Sequence, residues 1–251
     1  MPFTPVHVLA IIPLAIWKRL PFSALAIGSM APDLPMFLDV VDYAQTHSAQ
    51  GAITTCWPIG LATFMVFQCY LKEPLFDLFP SSIRMRCGSI REARISNKLS
   101  FWFWVSVAII IGVYSHQVWD AFTHKGRWGT ELVPMLNWEF ELFGKQLAGY
   151  KLFQYGSTSI GLPLMAALGV RWVMRSAVDK KIPNRILSAR FTKWSLAILG
   201  LLVLVAIACS LLLYPWPAKA IVKSVTNSMV VCLAWWFVIA GLFHWRTFKA
   251  A

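Results

Sequence analysis

The sequence has few charged residues for its length. They make up 14 % of the 251 residues, whereas a soluble domain carries about 25 %. Hydrophobic residues make up 58 %, so the chain has too little polar surface to cover a water-soluble globule. This composition excludes a soluble enzyme or a disordered protein as the first interpretation, and it predicts a polytopic helical membrane protein.

Cysteines are also few, and their spacing excludes two further classes. The chain has five of them, an odd number, and no two lie close together in the sequence. A disulfide framework needs an even set, and a thiolate zinc site needs closely spaced pairs. The sequence therefore predicts neither.

Apolar residues form seven continuous segments rather than alternating patterns, which favours helices over strands. Most approach the roughly 20 residues that cross about 30 Å of hydrocarbon, although the first is short. We therefore predict an all-α, polytopic helical membrane bundle of about six to seven apolar helices. It would form one integral domain, with a candidate site in residues 1–126, an outer loop in 127–151 and accessory helices in 152–251. The segments are 5–20, 22–42, 52–71, 99–122, 152–172, 194–214 and 223–244.

The net charge of +12 is compatible with nucleic-acid binding, but the positions of the basic residues favour membrane topology. If the N-terminus lies outside and the segments alternate, the inner side receives 17 of the 23 basic residues and 4 of the 11 acidic ones. Cytoplasmic loops of membrane proteins carry such an excess of Lys and Arg. We therefore expect no nucleic-acid partner and a lipid bilayer around the helices.

Ionisable groups inside a membrane cost about 2.5–3.5 kcal/mol each, so they usually have a partner or a function. His116, Asp120 and His124 are spaced i, i+4, i+8, which places them on one helix face. An imidazole and a carboxylate one turn apart can bind the same metal ion. The alternatives are a hydrogen-bonded pair that stabilises helix packing and, for His124, an interfacial histidine.

Three further residues fall near the same outer ends of the segments. Asp33 follows Pro32, where a broken helix can present a ligand; it can equally cap a new helix. His7 and His47 taken singly are typical of interfacial histidines. Because the topology places them beside Asp33, His116 and Asp120, we predict that all five are metal ligands.

These motifs resemble an uncharacterised bacterial inner-membrane family of unknown function, which is similar to the YdjM-type membrane-bound metal-dependent hydrolases. The resemblance implies a multi-pass protein of the bacterial cytoplasmic membrane and a zinc-dependent activity related to phospholipase C and single-strand nucleases. It covers the N-terminal 126 residues. The motifs are Met1–His7, Gly28–Asp33, Thr46–Ser48 and Ser115–His124.

The leading hypothesis is a membrane-embedded metal hydrolase. Zinc is the expected ion, with manganese as the alternative. His124 and Asp39 are the predicted proton acceptors, with Asp42 as another option. The substrate would be an amphiphilic or phosphorylated molecule at the outer interface. Two other classes stay open: an ion- or proton-coupled transporter, and a non-catalytic scaffold with a structural metal. The sequence predicts no oligomeric state.

Overall fold

We analysed a computed structural model of the chain. It describes residues 4–37, 41–88, 90, 95–142, 144–179, 181, 185–215 and 217–250. The architecture is all-α with one small hairpin, which confirms the predicted helical class.

Seven helices organise the described chain. The five from α3 to α7 are long and apolar enough to cross a membrane, whereas α1 is shorter and consists of one α-helical turn between 3-10 turns. Short helical turns at Tyr43–Thr46, Ser81–Arg84 and Trp128–Leu132 connect them. The helices are α1 (Thr4–Ile16), α2 (Phe22–Met30), α3 (Ala49–Leu78), α4 (Leu99–Thr123), α5 (Gly149–Arg175), α6 (Ala189–Leu213) and α7 (Pro217–Ala250).

The second predicted segment, 22–42, is not one helix. Helix α2 ends at Met30, and a separate 3-10 turn covers Leu34–Phe37. Pro32 and Pro35 lack the amide hydrogen that a continuing helix needs. As a result α2 has only 9 residues, too few to span a bilayer.

The expected outer loop contains a β-hairpin that the sequence analysis did not predict. Strands β1 (Glu139–Leu142) and β2 (Lys145–Ala148) pair antiparallel, with Glu139 opposite Ala148 and Leu142 opposite Lys145. Gly144 supplies the positive φ of +71° that the tight turn requires.

The chain divides into two compact units, of which the first comprises residues 1–65 and 95–174. Its centre is the crossing of α2 and α4, where two glycines let the backbones approach closely. A Cβ added at Gly28 would lie 2.8 Å from Ile109 Cα, and one at Gly112 would lie 2.6 Å from Ser29 N. Small residues allow such contacts between membrane helices, and this crossing brings Ser29 against the C-terminal half of α4.

The second unit comprises residues 66–94 and 175–251. Asp77 fixes a loop here, because its carboxylate accepts hydrogen bonds from the backbone N–H groups of Ile186 (3.3 Å) and Leu187 (2.7 Å). Helices α6 and α7 are joined by a bond from Asn227 to Ser210 Oγ at 3.0 Å. The buried core of this unit consists of Leu78, Leu187, Ile239 and Phe243.

Candidate metal centre

The first unit buries four elements against one another, and each contributes an ionisable side chain. Helix α1 begins with a 3-10 turn, Thr4–His7, in which Pro5 favours the helical φ. This turn directs His7 inward, where its ring stacks on that of His116 with centroids 3.8 Å apart. His7 is buried, and within the described chain neither of its ring nitrogens has a hydrogen-bond partner.

Asp33 lies on the turn that ends α2. Its backbone N–H donates to Met30 O at 3.1 Å, and its Oδ2 accepts a hydrogen bond from Thr4 Oγ1 at 2.8 Å. Its other oxygen, Oδ1, is buried and has no hydrogen-bond partner in the described chain. That atom lies 3.6 Å from His116 Nε2 and 3.7 Å from His47 Nε2.

His116 and Asp120 lie one turn apart on the buried face of α4, as the spacing predicts. Asp120 Oδ2 is 3.5 Å from His116 Nε2 and 3.4 Å from His47 Nε2. Its other oxygen, Oδ1, is 3.6 Å from His7 Nε2. With His124 Nδ1 at 3.6 Å from Oδ2, Asp120 therefore lies close to four imidazoles at once.

His47 reaches the cluster from the turn that precedes α3. The side-chain amide of Gln117 donates to Thr46 O (3.0 Å) and Ser48 O (3.1 Å), which fixes this turn against α4. The Tyr43 ring stacks on His47 at 3.8 Å, and the Tyr43 hydroxyl donates to Asp120 Oδ2 at 3.4 Å. These neighbours leave His47 Nε2 facing His116.

Contacts on the far side of each ring favour hydrogen on Nδ1. His116 Nδ1 lies 2.8 Å from Ser29 O, and a carbonyl oxygen only accepts. His47 Nδ1 lies 2.9 Å from Thr46 Oγ1, which can donate or accept, and 3.1 Å from Tyr43 O, which pairs with it only when Nδ1 carries hydrogen. In the neutral rings both Nε2 atoms then present lone pairs, and these two atoms are 3.2 Å apart.

The cluster thus concentrates hydrogen-bond acceptors around one point. Two imidazole lone pairs and two carboxylate oxygens converge, and burial makes unpaired acceptors costly. A cation satisfies them. Backbone carbonyls behind ligating histidines are the usual outer contacts of metal sites, because they orient the ring and fix the tautomer.

Distances within the cluster fit a small divalent ion. His47 Nε2, His116 Nε2 and Asp120 Oδ2 form a triangle with sides of 3.2, 3.4 and 3.5 Å. Tetrahedral zinc with bonds of about 2.0–2.2 Å separates its ligand atoms by about 3.3–3.6 Å. A second possible set, His7, Asp33 and His116, shares His116 with the first. Because His116 offers only the Nε2 lone pair, it can bind one ion from one of these sets at a time.

Of the two predicted proton acceptors, His124 and Asp39, the structure describes only His124. His124 follows the end of α4 in an extended conformation, with φ −131° and ψ 139°, and its Nδ1 lies 3.6 Å from Asp120 Oδ2. Its Nδ1 donates to Asp120 O at 3.1 Å, and its Nε2 faces the Gln154 amide at 3.4 Å. Asp39 lies outside the described residues. Asp42 is exposed.

Local environment shifts the pKa values of groups at the edge of the cluster. Burial raises the pKa of the Asp33 carboxyl, against the effect of His116. Burial and the nearby Asp120 raise the pKa of the Tyr43 hydroxyl, so it stays a donor at neutral pH. Burial lowers the pKa of His124, against the effect of Asp120, which favours its neutral form.

The sequence analysis missed several residues that shape the site, namely Thr4, Ser29, Tyr43 and Gln117. Each acts through a contact distant in sequence, and no local pattern marks it. Gln154 is buried, and its side-chain amide contacts His124.

Sequence comparison places the chain in a family but gives no function. No curated protein and no solved structure matches it. Residues 1–245 match the model of a family described as a domain of unknown function, DUF4184, and the chain therefore belongs to that family.

Proposed function

We propose that this protein is a membrane-bound metal-dependent hydrolase that binds a divalent ion, zinc or alternatively manganese, through His47, His116 and Asp120. The observation that carries the proposal is the 3.2 Å approach of two imidazole Nε2 atoms whose Nδ1 atoms are both held by backbone carbonyls. A shared proton would join only those two atoms, whereas Asp33 Oδ1 and Asp120 Oδ2 also face the same space. A metal ion bound by the two imidazoles and Asp120 would satisfy three of these acceptors, and a water molecule on the ion would donate to Asp33 Oδ1.

Three protein ligands with a fourth position left open are typical of catalytic zinc sites, whereas structural sites are closed by four. The triangle described above supplies three ligands. A bound ion would lower the pKa of a water molecule toward about 7 and polarise a phosphoryl oxygen. The proposed class of reaction also draws on the resemblance to metal-dependent hydrolases.

The remaining side chains would hold the reacting groups. Asp33 and His7 lie beside the triangle and can orient a water molecule or provide a further ligand. Tyr43 holds Asp120 in place through its hydroxyl. His124 is the most exposed of the clustered histidines, with 19 % of its side chain accessible, so it is suited to accept a proton and release it to solvent.

The substrate would be a phosphoester or lipid-linked molecule at the outer membrane interface. The cluster occupies the C-terminal end of α4, which the distribution of basic residues assigns to the outer side. The preceding stretch of α4, 99–113, contains no ionisable side chain. A transport pathway would need polar groups along that stretch, so the sequence favours a site that is open to one side only.

Metal content tests the proposal directly. Purified wild-type protein should contain zinc or manganese close to one ion per chain by elemental analysis, and His116→Ala or Asp120→Ala should lose it. His244→Ala is the matched control, because His244 donates to Tyr70 O at 2.9 Å in the second unit and should leave the metal content unchanged. Metal-free wild-type protein after reconstitution with zinc and manganese would overturn the proposal.

Turnover is tested separately with bis-(p-nitrophenyl) phosphate and p-nitrophenyl phosphate. The metal-loaded wild type should hydrolyse at least one of them, and the metal-free His116→Ala variant should not. Stoichiometric metal without activity on either ester or on phospholipids would favour a structural metal instead.

A further inference from the structure

Among the described side chains of the cluster, that of His124 is the most accessible. The side chains of His7, Asp33, His47, His116 and Asp120 are each at most 2 % exposed, whereas His124 is 19 % exposed. Within the described part of the chain, the edge of the cluster next to His124 therefore offers a ligand an approach. The side chains around it determine which ligands are admitted.

Two cationic side chains flank this edge. On one side Lys151 Nζ donates to Gln154 Oε1 at 3.0 Å, and the Gln154 amide faces His124 Nε2. On the other side the Arg127 guanidinium lies 5.0 Å from the centre of the Tyr43 ring and donates to His47 O at 3.5 Å. Tyr43 in turn lies 6.0 Å from the His124 ring.

These two cations have neutral partners. Lys151 contacts an amide oxygen, and Arg127 contacts a backbone carbonyl and an aromatic ring. Among the ion pairs of the described residues, none joins Arg127 or Lys151 to a carboxylate. Both therefore retain positive charge that an arriving ligand can use.

The charge balance of the centre adds to this preference. Asp33 and Asp120 together carry two negative charges, which one divalent ion would neutralise. The positive charges of Arg127 and Lys151 then remain in excess at the entrance. An arginine forms paired, charge-assisted hydrogen bonds with phosphate oxygens, and a lysine adds a point charge.

We infer that Arg127 and Lys151 form a phosphate-binding subsite at the entrance to the metal centre and select substrates that carry a phosphate group. The inference rests on the proposed function, since it assigns the substrate class of that same site. A lipid headgroup and a soluble phosphate both present the same oxygens, so both are candidate ligands of this subsite.

Inorganic phosphate and manganese-loaded protein in detergent provide the test. Manganese is paramagnetic, so phosphate bound beside it relaxes faster in phosphorus NMR. The wild type should enhance the relaxation in a saturable manner. Arg127→Gln and Lys151→Gln should each weaken phosphate binding about tenfold or more, because each removes a charge-assisted contact, while manganese content stays at the wild-type level.

Matched controls separate the possible failures. Lys223→Gln removes a basic residue of the second unit and should leave phosphate binding unchanged. If the wild type binds no manganese, the proposed function fails. If all variants bind manganese and phosphate relaxation does not respond to Arg127 or Lys151, the subsite alone is refuted.

Competition identifies the source of the phosphate. If a lipid headgroup is the ligand, short-chain phosphatidic acid should displace the bound phosphate at a lower concentration than is needed when inorganic phosphate itself is the competitor. Equal potency would assign the subsite to soluble phosphates. Displacement by short-chain phosphatidylcholine as strong as that by phosphatidic acid would contradict selection by Arg127 and Lys151, because its headgroup has no net charge.

Discussion

The Nε2 atoms of His47 and His116 face each other at 3.2 Å, although the residues are 69 positions apart. Helical spacing cannot produce this contact. It depends on the Gln117 amide, which holds the turn that carries His47, and on Ser29 O, which orients the His116 ring. The geometry of the centre therefore depends on residues that do not themselves offer a metal ligand.

Thr4→Val should weaken zinc binding at the centre without removing a metal ligand. Valine has nearly the shape of threonine but cannot donate to Asp33 Oδ2, which accepts from Thr4 Oγ1 at 2.8 Å. A buried acceptor left without its donor costs about 1–3 kcal/mol, and loss of an outer contact weakens metal binding about 10- to 100-fold. Chelator competition for zinc and the thermal unfolding temperature measure the two effects.

Thr226→Val is the control for this change. Thr226 is half-buried, and among the described residues its hydroxyl donates to carbonyls of its own helix, Val222 O and Lys223 O. It should alter neither zinc affinity nor the unfolding temperature. Equal zinc affinity for Thr4→Val and the wild type would show that Thr4 does not position Asp33.

Gly112→Ala should separate α2 from α4 and thereby disturb the metal centre from a distance. The added Cβ would lie 2.6 Å from Ser29 N and 2.8 Å from Gly28 C, and overpacking of this kind costs about 1–3 kcal/mol. Because the displaced segment carries Ser29 O, the hydrogen bond to His116 Nδ1 should lengthen as well. We expect a lower unfolding temperature together with weaker zinc binding.

Gly200→Ala provides the matched helix control. Nothing lies within 4 Å of a Cβ at Gly200, and alanine is favoured over glycine in helices by up to about 1 kcal/mol. This variant should unfold at the same or a higher temperature and bind zinc normally. A Gly112→Ala protein with unchanged zinc affinity would mean that the crossing can relax without moving His116.

Several parts of the fold and the site were predictable from sequence because they depend on local patterns. The continuous apolar runs gave the long helices, and the four-residue spacing placed His116 and Asp120 on one buried face of α4. The spacing also places His124 near Asp120, at 3.6 Å from its Oδ2, although α4 ends at Thr123 and His124 itself has an extended conformation. A helical pattern does not itself state where the helix ends.

Other parts depend on contacts that a single sequence does not reveal. Tyr43 lies outside the motifs and Thr4 lies within one, but the roles of both follow only from where the folded chain places Asp120 and Asp33. Gly28 and Gly112 did leave a signal, because small residues in apolar runs mark close helix crossings. Pro32 and Pro35 likewise indicate the end of α2. The predicted apolar segment 22–42 was wrong to continue through them, because α2 ends at Met30.

Metal removal should lower the stability of the wild type and have no effect on His116→Ala. A ligand that binds only the folded state adds about 2.7 kcal/mol at a free concentration one hundred times its dissociation constant. Zinc should therefore raise the unfolding temperature of the wild type, and a chelator should reverse the rise. The same zinc titration of His116→Ala measures zinc that is bound elsewhere. A rise in its unfolding temperature equal to that of the wild type would argue against the proposed centre.

The side of the membrane on which the centre opens can be determined by cysteine labelling. Glu141 lies exposed on β1, beyond the end of α4 that carries the centre, and Asn97 lies exposed just before the other end. In a background without the five native cysteines, a membrane-impermeant maleimide applied to intact cells should label Glu141→Cys but not Asn97→Cys. Both should react after the membrane is permeabilised. The basic residues predict this orientation because Lys and Arg accumulate on the cytoplasmic side, and labelling of Asn97→Cys alone in intact cells would invert the topology and place the metal centre toward the cytoplasm.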